Sequence, residues 1–180
     1  MESSTVPHRC YSRLFWGFIV VLVDIGVNRF DILPDFIGYW MISTAARDLS
    51  SVGPEFRAVR SLAGVLAALD IIQLFSLSSP LGSMLGIVGI LLSCALVWQL
   101  LGGVARDCFV HGHYDLVQSA HFRRSLYLGC MIAVALLWIA AFYYQQVASA
   151  IGLIVVLTGI FATLLVVALL RTARLRLFGA

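Results

Sequence analysis

Six apolar segments divide the chain, over about residues 11–27, 34–50, 62–79, 81–104, 125–144 and 147–170, and each of the last four holds 18 residues or more. An α-helix rises about 1.5 Å per residue, so about 20 residues carry it across a hydrocarbon core about 30 Å thick. Inside lipid the backbone has no hydrogen-bond partner but itself. These runs also lack the alternation of a membrane strand, so helices are what satisfies the constraint. The pattern predicts an all-α integral membrane protein: a bundle of six transmembrane helices, the first two short and hairpin-like, in a single membrane domain over residues 1–180.

Composition excludes several alternatives. Hydrophobic residues make up 61% of the chain and charged residues 12%, with a mean hydropathy of +0.98. A soluble domain carries about 25% charged residues. The six segments leave no room for a separate soluble domain. The net charge of +3 comes from 12 arginines, no lysine and nine acids, which makes a poor surface for nucleic acid. Arg9 and Arg13 ahead of the apolar run 14–23 imitate a signal peptide, but DIGVNRF follows where a small-x-small cleavage site is required. The first segment is therefore expected to be a retained span.

Arginine placement sets the expected threading. If six helices span with both ends on one side, that side receives Arg9, Arg13, Arg47, Arg57, Arg60, Arg106, Arg123, Arg124, Arg171, Arg174 and Arg176, and the other receives Arg29 alone. An eleven-to-one division predicts both termini in the cytoplasm. Cys10 and Cys108 fall on that side and Cys94 and Cys130 within spans, so no disulfide framework is expected. Trp16, Trp98 and Tyr127 near one boundary, with Trp138, Tyr143 and Tyr144 toward the other, fit two interfacial aromatic belts.

The stretch RFDILPDFIGYW (29–40) puts three charges and a proline between two apolar runs. Pro34 suits the first position of a helix and Asp35 its first turn, where the helix dipole favours a negative charge. Proline also pushes Leu33 toward an extended conformation, so the stretch reads as a tight connection that restarts a helix. From residue 34 to 46 that helix covers only about 20 Å. A full crossing needs continuation through Arg47 toward Ser50, and a re-entrant hairpin is the alternative. Burying the charges would cost about 2.5 to 3.5 kcal/mol each, which favours two short spans with the charged turn at the outer interface. FDILPDFIGY, within residues 14–48, resembles a motif of small multi-pass bacterial membrane proteins of uncharacterised function, in which a GFDILPDFIGY-like turn joins the first two helices. Arg29 stands where that motif leads one to expect a small residue. The resemblance implies a bacterial inner-membrane protein and carries no activity with it.

Candidate sites are few. Asp70 lies near the middle of the third segment, where a charge is costly and usually has a role. Gln73, Ala63 and Ala67 share its helical side, a small-residue face expected to point into the bundle, with Asp24 and Gln99 as contributors from other helices. That face is read either as a packing hydrogen bond or as a proton or cation site. At the outer interface Asp31 and Asp35 form a D-x-x-x-D pair beside Arg29, explained by capping and ion pairing, or by a bound cation. In DCFVHGHYDLVQSAH (107–121), Cys108, His111, His113, Asp115 and His121 are metal-ligand types in incomplete spacing. An interfacial helix over 114–124 accounts better for this stretch, with Leu116, Val117 and Ala120 on the bilayer and Arg123 and Arg124 among headgroups. Gly82 with Gly86, Ala148 with Gly152, and Gly159 with Thr163 permit close helix approach, inside the bundle or in a dimer.

No inverted repeat, phosphate loop, dinucleotide fingerprint or nucleophile elbow is present. This weighs against an enzyme. The expectation is a non-catalytic structural or accessory membrane component, without cofactor or structural metal, whose partners are the bilayer and a second copy or another membrane protein. A small proton- or cation-coupled transporter or channel subunit using Asp70 is the alternative. A lipid-modifying enzyme using the interfacial carboxylates is a third.

Overall fold

The computed structural model describes residues 5–22, 26–27, 30–31, 35–76, 80–143 and 148–178. Among these residues the fold is helical, with six helices: α1 (Thr5–Leu22), α2 (Asp35–Asp48), α3 (Pro54–Ser76), α4 (Pro80–Val110), α5 (Tyr114–Tyr143) and α6 (Ala148–Phe178). Between α1 and α2 a two-residue antiparallel ladder pairs β1 (Gly26–Val27) with β2 (Phe30–Asp31), in the register Gly26 to Asp31 and Val27 to Phe30. Two of the helix starts are legible chemically, since proline opens both α3 and α4, at a position where its missing N–H is no loss. Asp35 does occupy the first turn of α2, while Pro34 lies outside the described residues. α2 continues through Arg47 to Asp48, as a crossing requires, but its 14 residues still reach only about 21 Å.

The long helices exceed the expected spans. α4 and α6 each run 31 residues and α5 runs 30, so each is about 45 Å long. Residues 114–124 are the first third of α5 and not a separate interfacial helix. Leu116 and Ala120, expected on the bilayer, are buried in the core, and Val117 packs against it. Their packing partners explain the difference. Val104 and Cys108 of α4 are buried in the same cluster and α5 packs on both α4 and α6, so the helices continue past the apolar segments by covering one another.

A compact reversal makes this α4–α5 pairing. Gly112 has φ of +77°, the His113 N–H reaches the Cys108 carbonyl at 2.9 Å, and the Gly112 N–H reaches the Phe109 carbonyl at 3.0 Å. This is the Schellman pattern that ends a helix on a left-handed glycine. The His113 carbonyl then accepts from Leu116 and Val117, which starts α5.

Each helix packs on its chain neighbours, α6 closes against α1, and α4 also touches α6. Polar contacts fix which ends meet. Arg174 donates to Ser12 at 3.3 Å, Arg13 meets Asp48 at 3.4 Å, Arg106 meets Glu55 at 2.9 Å, and Arg176 pairs with Asp115. The starts of α1, α3 and α5 and the ends of α2, α4 and α6 therefore share one end of the bundle. Neighbouring helices run antiparallel. α1 and α2 approach closely, since a Cβ on Gly38 would lie 2.7 Å from the Gly17 carbonyl oxygen and one on Gly17 would lie 2.9 Å from the Gly38 carbonyl oxygen. Only glycine at both positions lets the two backbones meet.

Among the described residues one segment, Val88–Val110 of α4, is long and apolar enough to cross a membrane, with a mean hydropathy of 2.0. Six such segments were expected. Length and composition of one helix support membrane association only weakly, because a core helix of a soluble protein passes the same test.

Candidate functional site

Two polar layers occupy the helix interior, at different heights. The first contains Asp70. On α3, Ala63 and Ala67 are buried and Asp70 and Gln73 half-buried, so the small-residue face does turn inward. Tyr39 of α2 faces Ser93 of α4, with 3.3 Å between their hydroxyl oxygens. Asp70 and Asp35 both lie within electrostatic reach of the Tyr39 hydroxyl. Gln73 points to α4, with its Nε2 3.8 Å from where a Gly89 Cβ would stand. The layer thus joins α2, α3 and α4 through Asp70, Gln73, Tyr39 and Ser93. Two of these, Tyr39 and Ser93, were not picked out from the sequence, because a tyrosine and a serine in apolar runs carry no distinguishing pattern.

The other expected contributors are placed differently. Asp24 and Arg29 lie outside the described residues, and Asp31 is described only through its backbone in β2. Gln99 does not belong to the Asp70 layer. It sits six residues beyond Ser93, about 9 Å along α4, and lines a pocket between α4 and α5.

The second layer lies near the shared end and was missed from sequence. Tyr11 and Asp107 are both buried, and the Tyr11 hydroxyl donates to Asp107 Oδ2 at 2.6 Å. The same carboxylate places Oδ1 3.3 Å from Nδ1 of His111, whose half-exposed ring also has Nδ1 2.9 Å from the Asp107 carbonyl oxygen. Chemically this links a solvent-facing imidazole to a buried carboxylate and a buried phenol. One signal was available. An aspartate near the C-terminal end of a helix opposes the helix dipole, and no basic residue lies in the last turn of α4 to offset it. Such a residue needs a partner, though nothing local shows that Tyr11 supplies it.

The metal-ligand types of this end do not converge. Among the described residues no three His, Cys, Asp or Glu side chains form a group that would hold a metal ion. Cys108 is buried, and burial, with Asp107 and Asp115 adding to it, pushes its thiol up to about 11. A thiol held protonated is neither a ready ligand nor a nucleophile. His111 is engaged with Asp107, and His121 lies in the α4–α5 pocket.

That pocket holds about 390 Å³ and is lined by Glu55, Gln99, Gly102, Arg106, His121 and Arg124, with Phe109 and Val117 at its apolar margin. Arg106 Nη1 donates to both Glu55 oxygens at 2.9 Å. Glu55 is held below the usual carboxylate range by its own backbone N–H at the start of α3, against the opposing effect of burial, and then by Arg106. Arg124 lies with its guanidinium carbon 3.4 Å from the centre of the Trp98 ring, a cation–π stack. Burial pulls Arg124 below its usual value, with Glu55 opposing. Its Nε is buried and meets no hydrogen-bond acceptor among the described residues.

Comparisons with protein-family models, curated proteins and solved structures give no match to this chain.

Proposed function

We propose that this chain is a multi-pass inner-membrane protein of six helices, of the bacterial kind that the FDILPDFIGY resemblance implies, acting as a non-catalytic structural or accessory component of a membrane process. The observation that carries the membrane part is the outward distribution of apolar side chains. Val65, Ile71 and Ile72 of α3, Val88, Ile90 and Leu91 of α4, Ile132 and Leu136 of α5, and Ile154, Leu157, Phe161 and Leu164 of α6 are all exposed. Meanwhile Tyr39, Ser93, Asp70 and Gln73 are sheltered. Large exposed apolar surface of this extent marks contact with something apolar, and here it surrounds four helices. Lipid meets that requirement on all sides, as a protein partner on one face does not.

The end that gathers the arginines is then the cytoplasmic end, by the positive-inside rule. Arg123, Arg124 and Trp98 mark its headgroup level, and the ends of α4 and α6 and the start of α5 stand above it. Cell fractionation tests this directly. The chain is expected to resist extraction by alkaline carbonate and to dissolve in detergent. Reporter fusions after residues 50, 112 and 178 are expected to report the cytoplasm, and recovery in the carbonate supernatant would overturn the assignment.

A second reading has an observation of its own. Asp70 within reach of Tyr39, in a layer joining three helices, is what a small proton- or cation-coupled transporter or channel subunit needs. Proteoliposome flux that Asp70→Asn abolishes, with folding intact, would favour this reading over the structural one.

A further inference from the structure

The α4–α5 pocket has features that its internal contacts leave unused. Arg124 stacks on Trp98 and keeps a buried Nε without an acceptor. Gly102 leaves open the space beside the guanidinium, since a Cβ there would stand 3.6 Å from Arg124 Nη1 and 3.9 Å from Nη2. Arg106 meets Glu55 through Nη1 alone among its described contacts. His121 and Gln99 add two more groups able to donate. Two guanidiniums against one carboxylate leave the pocket with an excess of positive charge.

Exposed apolar residues follow the same helix faces farther along the bundle. On α4, Leu91 and Val88 lie 11 and 14 residues before Gly102, offsets that return to one helical side, and both are exposed. On α5, Ile132 lies 11 residues after His121, again on one side, and is exposed. The pocket therefore shares its helix faces with an apolar stripe that begins about 16 Å farther from the shared end.

We propose that this pocket binds a phosphate group, with Arg124 and Arg106 as the cationic contacts and Gln99 and His121 as further donors, and that an anionic phospholipid supplies it. Arginine suits a phosphate because its planar fork offers several donors to the oxygens. The apolar stripe decides for the lipid, since a free phosphate has no use for it and two acyl chains do. Stacking on Trp98 holds the Arg124 fork in place before the ligand arrives, which limits the ordering cost. This inference rests on the membrane reading, although the test below reads the pocket separately.

The test uses the full chain purified in dodecyl maltoside. Native mass spectrometry measures retention of phosphatidylglycerol against phosphatidylcholine, and Trp98 fluorescence follows titration with phosphatidylglycerol or inorganic phosphate. Phosphatidylglycerol is expected to be the better retained, and Arg124→Gln to weaken it about tenfold, the scale of one lost charge-assisted contact. Gly102→Leu, which keeps the charge and fills the space, is expected to weaken it as well and serves if Arg124→Gln fails to fold. Arg57→Gln, an exposed arginine on α3 outside the pocket, is the control and should leave retention unchanged. Equal retention of the two lipids, or equal loss in the Arg57→Gln control, overturns the site. Saturable binding of inorganic phosphate with no preference for phosphatidylglycerol overturns the lipid as its source. Recovery of the chain from cells without detergent would instead defeat the membrane reading.

Discussion

The Tyr11 hydroxyl donates a 2.6 Å hydrogen bond to the Asp107 carboxylate across 96 positions of sequence, and both side chains are buried. It spans from α1 to α4, two helices whose backbones do not pack on one another among the described residues. Truncating the phenol leaves a buried carboxylate short of a donor. Tyr11→Phe is therefore expected to destabilise the fold by about 1 to 3 kcal/mol, read as a lowered unfolding temperature in detergent. Asp107→Asn keeps an acceptor and should cost less. The double variant should cost less than the two single changes together, because each removes the same bond.

The α1–α2 crossing tests glycine as a spacer. Gly38→Ala puts a Cβ 2.6 Å from Val21 Cγ2 and 2.7 Å from the Gly17 oxygen, and backbone must move to admit it. A loss of about 1 to 3 kcal/mol is expected, as for overpacked cores. Gly64→Ala is the matched control on α3, since among the described residues its Cβ would find only Ser43 Oγ, at 4.0 Å. Thermal unfolding of the two variants side by side separates close approach from mere loss of glycine.

Gly112 is needed for its conformation, because no described residue lies within 4 Å of where its Cβ would be. Gly112→Ala is expected to cost about 1 to 2 kcal/mol through the left-handed backbone alone. Gly112→Asn should recover part of that, since asparagine tolerates this region. Gly129→Ala, in open space within α5, should be neutral or stabilising by the same measurement.

Cys108 gives a pH prediction with a definite sign. Its thiol is raised from about 9 to about 11 by burial, then by Asp107 and Asp115, so the folded state holds the proton more tightly than the unfolded chain. The group leaves stability intact below pH about 9 and lowers it as pH rises from about 9 to about 11. Folded protein should resist iodoacetamide at this position at pH 7 and react after unfolding. Mass-spectrometric mapping checks it, and rapid labelling of folded Cys108 at pH 7 would contradict the assigned environment.

The apolar segments show where local pattern suffices. Apolar runs located all six described helices, since an apolar helix announces itself in composition. The facing ends of α4 and α5 extend past the expected spans because residues 105–124 are polar enough to look like a connection carrying a separate interfacial helix over 114–124. Leu116 and Ala120 are buried in the core, since packing against neighbouring helices gives such a segment a buried side that no single-helix pattern reveals. Asp70 stood out because a charge in an apolar run is anomalous by itself. Tyr39 and Ser93 did not, being common residues that gain meaning only by facing each other.

Sequence alone determined the helical class, the number of helices, the inward turn of the Asp70 face and the uneven placement of arginine. These depend on the solvation of each segment, and a segment carries its own solvation preference. Tertiary structure decided that Tyr11 meets Asp107, that Gln99 serves the α4–α5 pocket and not Asp70, and that Gly17 and Gly38 make one crossing. Each of these is a distance between positions far apart in the chain. Only the closing of six antiparallel helices on one another sets such distances.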